Sequence, residues 1–153
     1  MSDTIYVAFA TQKGGAGKST LTALVASYLR YVEGVEVAVI DCDNTQHSMN
    51  VYRVHDLLVT NENPRLKRIM HKFYLTHKIK PYQILMTSPG DAVKVAEDFV
   101  KAGNNPKVVF FDITGTINNR DIVNLITKMH YIFVPITTET GEMASSISFA
   151  NNV

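Results

Sequence analysis

The first thirty residues constrain this chain more than all the rest. An apolar run at residues 5–10, Ile-Tyr-Val-Ala-Phe-Ala, leads almost at once into Lys13-Gly14-Gly15-Ala16-Gly17-Lys18-Ser19-Thr20. Behind that turn, Leu21, Leu24, Val25, Tyr28 and Leu29 recur at helical spacing up to Gly34. Strand, glycine-rich turn and helix in immediate succession suit an anion. Gly14, Gly15 and Gly17 permit backbone conformations that point successive N–H groups inward. The opening helix adds the positive end of its dipole. In such a cradle Lys18 reaches the β and γ phosphates of a nucleoside triphosphate, and Ser19 offers a hydroxyl to Mg²⁺. Residues Lys13 to Thr20, Ala16 included, form the candidate nucleotide-binding set.

The rest of the chain repeats the strand-then-helix pattern. Apolar runs of strand length lie at residues 35–40, 82–86, 108–111 and 131–135. Helical stripes lie at 20–31, 91–102 and 121–129, and residues 141–153 read as a final helix. Runs that are continuously apolar rather than alternating indicate strands covered on both faces, which is the signature of a parallel sheet. The expected fold is therefore α/β, a doubly wound, mostly parallel three-layer sheet. Its 153 residues form one domain with no repeat or linker to divide it. A hydrophobic fraction of 46% with 19% charged residues is ordinary for a soluble protein, and a net charge of +1 gives no bias towards nucleic acid. The single cysteine, Cys42, excludes an internal disulfide and suits a reducing cytoplasm. No integral membrane segment is expected, since no apolar stretch approaches the roughly 18 residues of a span.

A phosphate cradle only holds its ligand; hydrolysis needs magnesium ligands and a group that orients water, and these come from neighbouring strand ends. Two strands end in aspartate. Residues 35–40 run into Asp41-Cys42-Asp43, where extended chain would put both carboxylates on one face. Residues 107–111 run into Asp112, the Walker B form, whose carboxylate would hold a magnesium-bound water. Taken alone, the first of these has a second, less favoured reading as a polar turn capping the next helix.

Taken together these residues resemble the ParA/MinD group of P-loop ATPases. A standard P-loop has glycine where Gln12 stands; Lys13, one residue before the first glycine, is similar to the deviant Walker A lysine of that group. The resemblance implies ATP and Mg²⁺ as cofactors and an ATP-dependent homodimer in which Lys13 crosses to the partner's nucleotide. It implies catalytic roles for Lys13, Lys18 and Asp43, with Asp43 positioning the water, and a metal site of Ser19, Asp41 and Asp112. Thr114-Gly115 resembles the family's switch with threonine in place of proline, and Asn44-Thr45-Gln46 replaces the usual Pro-Gln after the aspartates. Residues 131–139 resemble its Val-x-Val-Pro segment. A hydrolysis-stimulating partner protein and a role in DNA segregation also follow, and residues 41–48 look like relatives carried on conjugative elements. Such proteins usually run longer, so the chain is read as the N-terminal part of one.

Residues 65–80 hold six of the fifteen Lys and Arg residues and no acidic one. Leu66, Ile69, Met70 and Phe73 fall on one helical face, with Arg65, Arg68 and Lys72 opposite. This reads as a core-packed helix with a solvated basic face; a contact to non-specific DNA or an anionic membrane is the alternative. The five histidines lack metal-ligand spacing. Two further readings stay open: a small-molecule kinase or ligase of the dethiobiotin-synthetase type, and a nucleotide-gated interaction module without hydrolysis. The nitrogenase-iron-protein branch is disfavoured, because its cluster needs two cysteines per subunit.

Overall fold

The computed structural model describes residues 4–11, 15–43, 47–113, 119–136 and 140–152. Strands and helices alternate as β1 (Ile5–Phe9), α1 (Lys18–Tyr31), β2 (Val37–Asp41), α2 (Ser48–Glu62), α3 (Pro64–His77), β3 (Gln83–Met86), α4 (Ala92–Lys101), β4 (Val108–Asp112), α5 (Arg120–Ile126), β5 (Tyr131–Phe133) and α6 (Thr140–Asn152). Among the described residues the strands pair in parallel in the order β3-β2-β4-β1-β5. Parallel neighbours cannot be joined by tight hairpins, so each connection crosses over through helix. The result is the doubly wound α/β sheet that the apolar runs predict.

Side-chain alternation along the strands divides the interior into two cores. Val7 and Phe9 of β1, Val37 and Val39 of β2 and Phe110 of β4 face Ala26 of α1 and Met49 of α2. The intervening residues Ala8, Ala38, Ile40, Val109 and Phe111 face Ala92 and Ala96 of α4, Ile122, Leu125 and Ile126 of α5, and Phe149 of α6. Every residue of β2 is buried, which explains why its sequence is apolar up to the terminal Asp41. Small residues set the helix-to-sheet distance: Ala26 in α1, and Ala92 and Ala96 one turn apart in α4, are completely covered. Phe111, also completely covered, takes the edge of Tyr6 at a centroid distance of 5.2 Å.

Two features depart from the sequence expectation. The helix α2 lies where no apolar stripe was identified, and its Val51, Val54, Leu57, Leu58 and Val59 are exposed. Most of residues 65–80 does form a helix, α3, which ends at His77 and is started by Pro64 and capped by Asn63, whose Oδ1 accepts the N–H groups of Arg65 and Leu66 at 3.1 and 3.2 Å. That helix is not packed into the core. It buries no residue fully, and Leu66, Ile69 and Met70 are 37%, 51% and 37% exposed. It meets the fold through Phe73 and Tyr74, whose rings lie 6.3 and 6.1 Å from Tyr31. No helix among the described residues is long and apolar enough to cross a membrane.

Candidate nucleotide site

The site lies at the carboxyl ends of β1, β2 and β4, where a doubly wound sheet leaves its strand ends open. β1 gives way to buried Thr11, and the chain returns as Gly15, Ala16 and Gly17 before α1 begins at Lys18. Gly15 and Gly17 have φ of +84° and +73°, a region that a Cβ would strain even though space around them is open. Gly17 occupies the N-cap of α1 without a side-chain cap, and no acidic residue stands in the first helical turn. The leading N–H groups and the positive helix end are thus left for an external anion.

Lys18 is 7% exposed, and burial pulls its ammonium below the usual lysine value; Asp112 and Asp43 oppose that pull. Ser19 donates its hydroxyl to Asp112 Oδ1 at 3.0 Å, joining the start of α1 to the end of β4. Asp112 is 1% exposed, and its other oxygen, Oδ2, has no partner among the described residues. Burial pushes its carboxyl up to about 6, with Asp41 and Asp43 adding and the Ser19 bond and Lys18 subtracting. A buried carboxylate oxygen left unpaired beside a hydroxyl is a hard-oxygen donor set that fits Mg²⁺. Among the described residues no three His, Cys, Asp or Glu side chains gather around a metal position, so phosphate and water would complete such a coordination shell.

Asp41 stands opposite Asp112 in the β2–β4 register, and the Cys42 N–H donates to the Asp112 carbonyl at 2.9 Å. Its own carboxylate is committed to backbone: Oδ1 accepts the Asp43 N–H and Oδ2 the Met49 N–H, each at 3.1 Å. Burial raises the Asp41 pKa, and these backbone bonds hold it down. The extended geometry expected for Asp41 and Asp43 is replaced by a hook, because the first bond folds residue 43 back onto the Asp41 side chain. Asp41 therefore both stands beside Asp112 and anchors the first turn of α2. Its anchoring role is the part the sequence reading assigned only to a generic cap. Cys42 is buried with its thiol pushed up, chiefly by burial, which makes it an inert packing residue.

The remaining candidates are placed as follows. Gly15, Ala16, Gly17, Lys18, Ser19, Asp41 and Asp112 come together at the loop, and Asp43 is close enough to act on both Lys18 and Asp112. Thr20 is exposed, with its hydroxyl 3.3 Å from that of Tyr52 on α2. Lys13, Gly14, Thr114 and Gly115 lie outside the described residues, as do Asn44, Thr45 and Gln46. Arg65, Arg68 and Lys72 are exposed on α3, which meets α1 at Tyr31, the end opposite Lys18.

Residues 7–138 match the family model described as the CobQ/CobB/MinD/ParA nucleotide binding domain. Among solved structures the chain is similar to pNOB8 ParA bound to nonspecific DNA, with a TM-score of 0.61 and 17% identity. The match covers 97% of this chain and 59% of that one, so the chain spans somewhat over half the length of that ParA. No curated protein sequence matches the chain significantly.

Proposed function

The chain belongs to the CobQ/CobB/MinD/ParA nucleotide-binding family, and on that footing we propose that it is a ParA-like ATPase: an Mg²⁺-ATP-dependent dimerisation switch with slow hydrolysis, acting in DNA segregation or mobile-element maintenance. The observation that supports this best is the Ser19–Asp112 bond of 3.0 Å beneath an uncapped glycine turn. It joins the phosphate-binding helix to the carboxylate a magnesium-dependent hydrolase needs.

In this reading the loop N–H groups and Lys18 hold the β and γ phosphate oxygens and stabilise charge that grows on them in the transition state. Burial helps, since in a poorly hydrated setting the Lys18 ammonium interacts more strongly with phosphate. Ser19 and Asp112 would hold Mg²⁺, with Asp41 at its hydration shell; when bound, the ion neutralises phosphate charge. Asp43 orients the attacking water, and Lys13 crosses from the second subunit to the first subunit's nucleotide. Gly115 would register the γ-phosphate. A partner protein would stimulate hydrolysis, and the protein would work in the cytoplasm as a single nucleotide-binding domain.

Because the similar ParA was solved on nonspecific DNA, we assign the exposed basic face of α3, Arg65, Arg68 and Lys72, to phosphate-backbone contact. The central test is oligomeric state by light scattering with ATP and with ADP. The wild type should dimerise with ATP only, and Lys13→Ala should stay monomeric. A wild type that is monomeric in both nucleotides refutes the switch. Steady-state hydrolysis that persists unchanged in Asp43→Ala would remove that residue's assigned role.

A further inference from the structure

At the far end of α1 from Lys18, a cavity of about 540 Å³ opens between α1, α2, α3 and the start of β3. That volume lies within the range of small-molecule sites. Three tyrosines form its aromatic wall. Tyr31 of α1 lies 6.0 Å from Tyr82 at an interplanar angle of 39°, and 6.1 Å from Tyr74 of α3 at 61°. The hydroxyl of Tyr82 approaches that of Ser27 at 3.4 Å, so the polar ends of the wall are held as well as its rings.

Into this wall α2 inserts one cation. The Arg53 guanidinium sits 4.7 Å over the Tyr82 ring, and its Nη2 donates to the Tyr82 carbonyl at 3.2 Å. Two contacts fix the fork in place, yet Arg53 makes no ion pair with a carboxylate among the described residues. Asp56 also lines the cavity, one turn further along α2, but its side chain is 80% exposed and its ion-pair contact is with His55 at 4.0 Å. Lys80, exposed at the mouth, adds a second positive charge.

We propose that this cavity binds a small aromatic carboxylate, its ring against Tyr31, Tyr74 and Tyr82 and its carboxylate on Arg53. Flat rings suit a wall made of ring faces and edges, where offset and tilted stacking contribute beyond buried area. A half-buried, pre-positioned guanidinium with open N–H groups presents the planar fork that a carboxylate matches with two bonds. Its ring-stacked position is the cost-free part of recognition, because little side-chain freedom remains to be lost on binding. Among the described residues the cavity shares no lining residue with the phosphate loop.

The test titrates 1-naphthoate into the full chain and follows backbone amide shifts. Saturable shifts are expected at Tyr31, Arg53, Thr60 and Gln83, with none at Lys18 or Ser19. The Arg53→Gln variant should bind about tenfold or more weakly, as loss of a charged hydrogen-bond partner implies. Neutral 1-naphthamide on the wild type should show a similar loss, which keeps the test independent of how well the variant folds. Equal affinity for naphthoate and naphthamide, shifts centred on the phosphate loop, or no shifts up to the solubility limit would each overturn the proposal.

Discussion

Replacing Asp112 with asparagine, in buffer without nucleotide or divalent cation, should favour the variant over the wild type by more at pH 8 than at pH 4. The reasoning starts from the carboxyl being held at about 6 in the folded chain, against 3.8 for an unperturbed aspartate. Between those values the folded protein binds a proton that the unfolded chain releases, so stability falls as pH rises through the window and stays lower above it. A gap of about two pH units corresponds to about 3 kcal/mol. Asparagine has nearly the same shape, keeps an oxygen to accept the Ser19 hydroxyl, and carries no charge to desolvate. The stability difference between variant and wild type should therefore grow by about 2.4 kcal/mol from pH 4 to pH 8, whatever constant offset the unpaired amide adds. Urea unfolding at several pH values reads this directly, and the slopes with denaturant should match. With Mg²⁺-ATP at about a thousand times its Kd the variant should lose that advantage, since such a ligand stabilises the wild type by about 4.1 kcal/mol and the variant lacks the second carboxylate oxygen. A stability difference that does not change with pH would refute the claim that burial of an ionised Asp112 strains the empty site.

Other perturbations test separate parts of the structure. Asp41→Ala removes the acceptor for the Met49 N–H, so exchange protection at that amide should fall at least about tenfold while that of Ala26 holds; equal protection in both proteins would show that Asp41 does not anchor α2. Phe111→Ala empties the centre of the sheet and should lower the unfolding free energy by about 3–5 kcal/mol, and a loss under about 1 kcal/mol would contradict its burial. Reversing charge at Arg65, Arg68 and Lys72 together should abolish ATP-dependent DNA retention and flatten the log–log salt dependence by about 2.7; unchanged retention would leave α3 a solvated face.

The parts of the molecule legible in the sequence were those where local chemistry and burial agree. Gly15 and Gly17 occupy left-handed backbone that only glycine takes without strain, so the turn could be read from residue types alone. β2 and β4 are covered on both faces, so their apolar runs and terminal aspartates stood out. Helices on the outer layer were harder. The apolar stripe of Leu66, Ile69 and Met70 gave α3 its correct form, but periodicity reports that a face is apolar and not whether anything covers it. α2 mixes exposed Val54, Leu57 and Val59 with buried Met49 and so shows no clean stripe. The hook at Asp41 was hidden for another reason: its partner N–H belongs to Met49, eight residues on, and backbone donors leave no trace in residue type. The pairing of Arg53 with Tyr82 spans 29 positions and carries no motif.

The strand order also bears on how the chain is made. β1 is made before the other four strands described, yet its partners are β4 and β5, which begin at Val108 and Tyr131. β2 can join β3 through the intervening helices well before that. A growing chain made at about 5–20 residues per second therefore carries its first strand and phosphate loop without neighbours for several seconds. Asp112 reaches Ser19 only when β4 slots between β1 and β2, so the last strand needed to close the sheet's centre also completes the nucleotide pocket. A ribosome-bound chain halted before residue 108 should therefore hold no nucleotide.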